Sequence, residues 1–472
     1  MRFLLRLLRA AVLIRLITLI LPSSAGAQAA PARPDSSTAR PAPVARGDSA
    51  RDSVGRGAGV RRDSAQRVGA FQVTATFAAT RVLDAPQPVA VIGGAELRRA
   101  QGAAVGDALE QLPGIRSLSM TTGIGKPVIR GLTHNRIVTL DNGQRSETQQ
   151  WGHDHSPNVE TANAEQIEVI KGPASVLYGS DALGGVINIV APALPAAGDE
   201  SPFVRGRATM AYNTNVMGPD ATLRLDAARG GWGARVAATG RLTGDMRAPR
   251  GVLRNTENET GHVELATGYT GASRKLSLRA SERQERIEIF DDPVAVPGYT
   301  GYQRLTTRRG TLEGETALGA GGDRLQLQLG VEQNFRREFA AADAADITLG
   351  LLVNTASGFL HLHHRPVGPF SGGTIGVFAL DSRFEKRGST SLIPNSQSRN
   401  AAVYALEHIE RGRWRGTVGA RWDLRTLGIE DDAELGLSAQ TQRHQAFTGS
   451  IGSSYRLTEW SSLVASVGRG FR

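Results

Sequence analysis

The sequence contains no cysteine, and this absence excludes several kinds of protein at once. Without thiols the chain has no disulfide framework, no thiolate metal site and no cysteine nucleophile. The mature sequence also lacks a run of about 18 apolar residues, which is the length that a permanent membrane-spanning helix needs. If this chain enters a membrane, it therefore does so without helices.

Excess positive charge is scarce outside the N-terminal region. The net charge is +10, but residues 1–70 hold 12 arginines and 4 aspartates, so most of that charge lies there. The rest of the chain is nearly balanced. This distribution is typical of a basic leader followed by a basic linker, and it argues against a nucleic-acid-binding protein.

The first residues have the features of an export signal. A basic start precedes an apolar stretch at 10–21, and an Ala-Gly-Ala sequence at 25–27 has the small-x-small pattern of a signal-peptidase site. We therefore predict a signal peptide over residues 1–27. Residues 28–70 are rich in Pro, Ala, Arg, Asp and Ser, with few large apolar side chains, and this composition predicts a disordered linker.

The remaining chain has two different hydrophobic patterns. Up to residue 195 the pattern is mixed. It predicts strands at 88–94, 136–145, 165–173 and 184–190, a helix at 95–101, and a second helix that starts at 105 and is stopped by Pro113-Gly114. From residue 196 onward, apolar and polar residues alternate, as in the stretch LQLQLGVE at 325–332. A soluble sandwich gives the same alternation. A long region without helices, with charge on one side of each strand, favours a membrane barrel instead.

Two stretches of the mixed region resemble the plug domain of TonB-dependent outer-membrane receptors. They are VIRGLTHNRIVTLDNGQR (128–145) and EQIEVIKGPASVLYGSDALGGVINIV (165–190). The resemblance covers residues 71–472 and implies a transmembrane β-barrel, residues 196–472, with an N-terminal α/β plug domain, residues 77–195, in its lumen. Barrels of this family have about 22 strands. About half of them are present here, so we expect the sequence to be a C-terminally truncated fragment.

The resemblance also implies a location and partners. It places the protein in the outer membrane of a Gram-negative-type bacterium, with the linker in the periplasm. A TonB-box-like segment at 71–76, with Gln72, Val73, Thr74 and Ala75, is expected to pair as an added strand with the periplasmic TonB protein. The alternative is a first plug strand that stays within the domain. The other expected partners are outer-membrane lipid and the imported ligand. We expect a monomer that binds no nucleic acid, and neither a cofactor nor a catalytic constellation is predicted.

The plug loop QQWGHDHSPNVE contains the main candidate ligand-binding residues, His153, Asp154 and His155. Imidazole and carboxylate together suit Zn²⁺, Ni²⁺ or Cu²⁺ better than hard cations. In an extended backbone the two histidines project to one side and Asp154 to the other, whereas in a turn all three converge. Glu147 and Glu160 are nearby carboxylates that complete the candidate site. The alternative is a hydrated polar loop, or histidines hydrogen-bonded to the barrel wall.

This loop and the stretch HHRPVGPFSGGTIGVFALDSRFEKRG (363–388) look like the branch of the family that includes zinc receptors. That branch often has a histidine-rich external loop, but the corresponding connector here, residues 289–303, has Asp291 and Asp292 and no histidine. The expected function is therefore TonB-dependent import of a scarce ligand, a transition-metal ion such as zinc or copper or a metal chelate. A siderophore or cobalamin receptor is the alternative, and the plug argues against a passive porin.

A second histidine group, His361, His363 and His364, precedes a predicted short turn. His361 and His363 share one face of the predicted strand, and His364 takes the other. Short turns of outer-membrane barrels face the periplasm. These histidines are therefore expected to belong to the barrel wall rather than to a ligand site near the external mouth.

Overall fold

The protein is represented by a computed structural model. It describes residues 72–73, 80–81, 85–100, 102–147, 152, 154–172, 174–249, 251–291, 296 and 298–471. The predicted signal peptide and linker lie outside these residues. The described residues all belong to one unit, which runs from 67 to 472.

The first part of this unit, the predicted plug, is built from short elements. Its strands are β1 (Gln72–Val73), β2 (Thr80–Arg81), β3 (Val89–Gly93), β4 (Ile115–Thr121), β5 (Ile124–Ile129), β6 (Ile137–Asp141), β7 (Gln144–Arg145), β8 (Gln166–Lys171) and β9 (Gly185–Val190). Its helices are α1 (Gly94–Ala100), α2 (Val105–Leu109) and α3 (Ser175–Tyr178), with a 3₁₀ turn at His134–Arg136. Five strands form the central sheet in the order β3-β8-β9-β6-β7, in which β6 and β9 are parallel and the other neighbours antiparallel.

The plug core lies between this sheet and its two N-terminal helices. Leu97 of α1 and Leu109 of α2 pack with Ile92, Ile167 and Ile187 of the sheet, and all five side chains are buried. Isoleucine and valine dominate β8 and β9, because β-branched side chains suit strands that are buried on both faces.

The helix predicted to run from Val105 to a stop at Pro113-Gly114 is shorter than expected. It ends at Leu109, and the N–H of Leu112 donates to the carbonyl of Leu109 in a turn. The chain then enters the hairpin of β4 and β5, which the sequence analysis did not predict. The helix thus ends four residues before Pro113, the stop that the sequence predicts, so the proline does not set its end.

The second part is one large antiparallel sheet of 13 strands in chain order. The strands are β10 (Phe203–Asn213), β11 (Gly218–Arg229), β12 (Trp232–Thr243), β15 (Asn258–Thr270), β16 (Arg274–Glu288), β17 (Tyr302–Leu318), β18 (Asp323–Phe339), β19 (Leu349–His364), β20 (Gly372–Lys386), β21 (Ser396–Arg411), β22 (Trp414–Ile429), β23 (Gln440–Arg456) and β24 (Ser462–Gly468). A separate hairpin, β13 (Met246–Ala248) and β14 (Gly251–Leu253), lies in the connector after β12. Among the described residues, no helix is long and apolar enough to cross a membrane.

The burial pattern of the large sheet is the reverse of that in a soluble protein. On β18 the side chain of Val331 is 59% exposed, whereas its polar neighbour Glu332 is 4% exposed. On β22 Trp422 is 43% exposed and Arg421 is 1% exposed. Polar side chains thus face the plug and apolar ones face outward, as expected of a barrel wall that borders lipid. The predicted fold class, a plug and a β-barrel wall, is confirmed.

Connector length distinguishes the two ends of the sheet. The connectors at 289–301, after β16, and 340–348, after β18, are long, whereas the turns at 319–322 and 412–413 at the opposite end are short. The plug loop that follows β7 lies against the half of the sheet that ends in the long connectors, because Asn158 and Ser146 bond to Glu285 and Glu332 there.

Candidate metal site between the plug loop and the sheet

Asp154 lies in a turn of the plug loop. The N–H of His155 donates a hydrogen bond to the carbonyl oxygen of Gly152 over 3.3 Å. A Cβ atom on Gly152 would lie 2.9 Å from Cγ and Nδ1 of His155 and 3.0 Å from Oδ1 of Asp154. Only glycine gives the two side chains this much room. This hydrogen bond indicates a turn for Asp154 and His155, whereas His153 lies outside the described residues.

This turn brings Asp154 and His155 together with Glu338, near the end of β18. One ligand atom from each of the three residues lies within 4.8 Å of the others. Nε2 of His155 is hydrogen-bonded with Oε1 of Glu338 over 2.9 Å, the wall contact that the alternative predicts, and lies 3.6 Å from Oδ1 of Asp154. The imidazole is buried, whereas both carboxylates are partly exposed. The cluster therefore joins the plug to the wall and keeps its acidic side accessible.

An amide of the wall orients the two carboxylates. Nε2 of Gln303, on β17, donates to Oδ2 of Asp154 and, over 3.3 Å, to Oε1 of Glu338. Arg336 in turn donates from Nη1 to Oε1 of Gln303, which fixes the orientation of the amide. Such outer contacts hold ligand side chains in place before an ion arrives.

Two cations balance the charge of the cluster. Arg336 is fully buried one lumen-facing position below Glu338, and Lys126 of β5 is also buried. Burial lowers the pKa of Lys126 to about 8, although the nearby Asp154 carboxylate partly opposes that shift. Both cations therefore lie within electrostatic reach of the Asp154 carboxylate.

The cluster has the chemistry of a borderline transition-metal site. One imidazole nitrogen and two carboxylate oxygens bind Zn²⁺ at about 2.0–2.2 Å, which places ligand atoms roughly 3.4 Å apart in a tetrahedron. The separations of 2.9 and 3.6 Å here bracket that value. Three protein ligands leave a coordination position for water or for a chelator, an arrangement that suits exchange more than permanent storage.

The other two predicted carboxylates lie elsewhere along the plug–wall seam. Glu147 is hydrogen-bonded with Arg145, and its own N–H donates to Glu332 over 3.1 Å. Glu160 forms an ion pair with Arg283 of β16 and accepts hydrogen bonds from the N–H groups at 161 and 162. Within the part of the chain that the structure describes, neither belongs to a group of three or more metal-ligand side chains like the one around His155.

Some predicted residues fall outside the described residues. These are His153, Asp292 and two members of the TonB-box-like segment, Thr74 and Ala75. The backbones of Gln72 and Val73 are described and form β1, which pairs antiparallel with β2. The role of this segment stays a prediction.

The second histidine group is hydrogen-bonded into the wall at the opposite end of the sheet. His361 contacts the hydroxyl of Tyr404, and Nε2 of His363 is 3.1 Å from Oε1 of Gln326. His364 lies 3.1 Å from Glu407. The structure does not bring these residues to the cluster at His155.

Three residues of the cluster were not found from the sequence, namely Gln303, Arg336 and Glu338. Each lies about 150 to 180 positions after the plug loop, and the register of the sheet alone brings them close. The available signal was the alternation of residues along the strand. Arg336 and Glu338 share the inward face of β18 with Glu332, and charged residues are enriched on that face.

Comparisons with known proteins agree with this architecture. Residues 81–186 match the family described as TonB-dependent Receptor Plug Domain, and residues 198–472 match TonB dependent receptor-like, beta-barrel. A hemin receptor of Yersinia pestis is 30% identical over 260 residues, which cover 52% of this chain and 36% of the relative. A vitamin B12 transporter of Photobacterium profundum is 33% identical over 104 residues, which cover 22% of this chain and 17% of the relative.

Solved structures share the fold at low sequence identity. The copper transporter OprC superposes with a TM-score of 0.68 at 17% identity, covering 80% of this chain and 62% of that one. The ferric citrate transporter FecA gives a TM-score of 0.65 at the same identity and coverage. The chain thus spans about a third of the length of the hemin receptor and less than two thirds of these transporters.

Proposed function

The chain belongs to the TonB-dependent receptor family, and from that premise we propose that it imports a transition-metal ion, zinc or copper, or a metal chelate. Members of this family are outer-membrane transporters of Gram-negative bacteria and not enzymes. Import is energised through TonB in this proposal, with the segment that begins at Gln72 as the strand that TonB captures.

The convergence of Asp154, His155 and Glu338 is the observation that carries the proposal. In outer-membrane barrels long connectors face the outside and short turns face the periplasm. By that rule the cluster lies at the external end of the lumen, where an incoming ligand arrives first. It also bridges plug and wall, so an ion bound there contacts both parts that must separate during transport.

Capture of an ion from outside explains the accessible carboxylates. Asp154 and Glu338 are partly exposed, so they attract a cation and exchange its water. The buried imidazole of His155 then supplies the softer ligand that selects Zn²⁺ or Cu²⁺ over Mg²⁺ or Ca²⁺. A pull on the plug displaces Asp154 and His155 from Glu338 and breaks the site.

Titration calorimetry of the purified receptor with Zn²⁺, Cu²⁺ and Mg²⁺ tests this proposal. We expect binding of Zn²⁺ or Cu²⁺ and none of Mg²⁺, with the affinity reduced at least about 100-fold in Glu338→Gln and in His155→Ala, more than is usual for an outer contact. His444→Ala is the matched control, because His444 is an exposed histidine near the start of β23. Unchanged affinity in both site variants would contradict the proposal.

Growth under metal chelation is the corresponding test in cells. A strain without this gene is expected to grow poorly in zinc- or copper-depleted medium. Complementation with the wild type or with His444→Ala restores growth, and complementation with Glu338→Gln does not. Equal rescue by all three versions would mean that the cluster has no role in uptake.

Import of an organic chelate is the second candidate function, favoured by the names of the relatives, which include hemin and vitamin B12 receptors. A siderophore belongs to the same class. The calorimetry with hemin or cobalamin in place of the ion separates the two candidates. Binding of hemin or cobalamin that is unaffected by Glu338→Gln, together with no binding of free ions, would favour this second function.

A further inference from the structure

A pocket lies at the other end of the plug, beside the short turn at 412–413. Its walls come from the residues just before β3, from α3, and from β21 and β22. The lining residues that matter here are Pro86, Gln87, His408, Glu410, Arg415 and Thr417.

Two polar atoms in this pocket have no protein partner. Within the described residues, Oε1 of Gln87 and Nε2 of His408 are buried and form no hydrogen bond. Buried polar atoms in native proteins are almost always satisfied, by protein groups or by something bound. An acceptor oxygen from the plug and an imidazole nitrogen from the wall line the same pocket, so a species bound there would lie between plug and wall.

Nearby groups indicate what that species is. Glu410 lies two residues after His408 on the same face of β21, and the Thr417 hydroxyl is on the strand position paired with His408. Arg415 forms an ion pair with Glu410, with Nε 3.3 Å from Oε1. Imidazole nitrogen, amide oxygen and carboxylate oxygen are all ligands for a divalent transition metal.

We propose that this pocket is a second binding site for a divalent transition-metal ion, with His408, Glu410 and Gln87 as its ligands. It lies at the periplasmic end of the seam and is separate from the cluster at His155. Its role as a site on the exit side of the lumen rests on the proposed import function. Whether it binds an ion at all does not depend on that function.

The position of Gln87 makes the site breakable by a pull on the N-terminal segment. Pro86 packs closely on the wall, because a Cβ on Gly452 of β23 would lie 2.8 Å from the Pro86 carbonyl oxygen. The Pro88 carbonyl accepts a hydrogen bond from Lys171 over 2.9 Å. Gln87 therefore sits on a short stretch, clamped on both sides, that follows β2. Force on that stretch removes one ligand while His408 and Glu410 stay on the wall, and the ion is released toward the periplasm.

The test counts bound Zn²⁺ per chain by equilibrium dialysis and elemental analysis of the purified receptor. The wild type and the control His444→Ala are expected to bind two ions. His408→Gln and His155→Ala are each expected to bind one, and the double variant none. In the His155→Ala background, Gln87→Leu is expected to weaken the remaining ion about tenfold without changing its number. Heat-modifiable migration on gels checks that each variant is folded.

The outcomes separate this inference from the proposed function. One ion in the wild type that is lost in His155→Ala and kept in His408→Gln overturns the second site and leaves the import site intact, since water then satisfies Gln87 and His408. One ion that is lost in His408→Gln and kept in His155→Ala supports the second site and removes the first. No bound ion in any version overturns both.

Discussion

Asp154 and Glu160 lie six residues apart in one plug loop, and they meet different partners across the seam. Glu160 meets Arg283, whose guanidinium neutralises it. Asp154 meets the amide of Gln303 and lies beside His155 and Glu338, with no arginine bonded to it in the described structure. Glu160 thus forms an ion pair between plug and wall, whereas Asp154 faces an amide and is one of the carboxylates that we propose as metal ligands.

Similar ion pairs occur farther along the seam. Arg309 of β17 pairs with Asp141 of the plug and, over 2.5 Å, with Glu332 of the wall. These carboxylates are therefore neutralised by an arginine, as Glu160 is. Buried pairs of this kind add little net stability compared with apolar residues, but removing one partner is costly because a charge is left buried and unpaired.

The largest effect on plug stability is expected from breaking the ion pair between Arg283 of the wall and Glu160 of the plug. Arg283→Met leaves Glu160 and Glu285 without their cation and should destabilise the seated plug by about 3–5 kcal/mol. A urea titration measures this through a fluorophore at a single introduced cysteine, Glu110→Cys, since the chain has no other thiol. Metal affinity at the His155 cluster should stay within about twofold, because Arg283 does not contact it.

Arg387→Met is the control for that experiment. Arg387 pairs with Glu385 at the exposed end of β20, and both side chains are well exposed. Exposed ion pairs contribute about 0–1 kcal/mol, so little change is expected. Equal urea midpoints for Arg283→Met and the wild type would show that the seam pairs do not fasten the plug.

Low pH should break the same ion pair gradually, because it protonates Glu160. Burial alone would raise the pKa of Glu160, but Arg283, His262 and Arg241 lower it from the usual 4.5 to about 2. Its contribution is therefore complete above about pH 4.5 and is lost as the pH falls through 2. Between pH 5 and 3 the plug should lose on the order of 2 kcal/mol. Glu160→Gln should remove this part of the pH dependence in the same urea assay, and an unchanged slope would contradict the assignment.

Removing the amide that orients the ligand carboxylates sharpens the comparison from the other side. Gln303→Leu deletes the hydrogen bonds to Asp154 and Glu338, and the affinity for Zn²⁺ should fall about 10–100-fold. The urea midpoint of the plug should change much less than in Arg283→Met. A large loss of plug stability with unchanged Zn²⁺ affinity would mean that Gln303 holds the plug to the wall and does not position the ligand carboxylates.

The smallest effect is expected at the turn. Gly152→Ala places a Cβ 2.9 Å from the His155 ring, so the ring must shift by a few tenths of an ångström. We expect a loss of affinity of about three- to tenfold, equivalent to about 1 kcal/mol. Gly230→Ala is a suitable control, because a Cβ there meets nothing within 4 Å, although its positive φ adds some strain. Calorimetry measures both variants.

Much of the fold follows from the two-residue periodicity of polar and apolar side chains, because a strand in a barrel wall has one polar and one apolar face. The alternation in 325–332 predicts the two faces of β18 correctly. The hairpin of β4 and β5 could not be found in this way, since its stretch IGKPVI contains glycine and proline and is buried on nearly every side chain. Ser117 and Ser119 of β4 also donate hydrogen bonds to Asp107 of α2, a contact that the local sequence pattern does not reveal.

The candidate site could be predicted only in part. Asp154 and His155 stand out because they are adjacent, polar and flanked by turn formers. Glu338 cannot be distinguished from other inward carboxylates of the sheet, such as Glu332, until the register shows which one faces an arginine and which one faces an imidazole. The partners of Glu147 and Glu160 could not be predicted for the same reason.

Anomalous diffraction at the zinc edge, from crystals of the receptor grown with Zn²⁺, tests the central claim most directly. The account predicts a peak between Nε2 of His155 and the carboxylates of Asp154 and Glu338, about 2.0–2.2 Å from each ligand atom. The same peak should be absent from crystals of Glu338→Gln. A receptor that is saturated with zinc yet shows no peak at this cluster, or one that keeps the peak in Glu338→Gln, would contradict it.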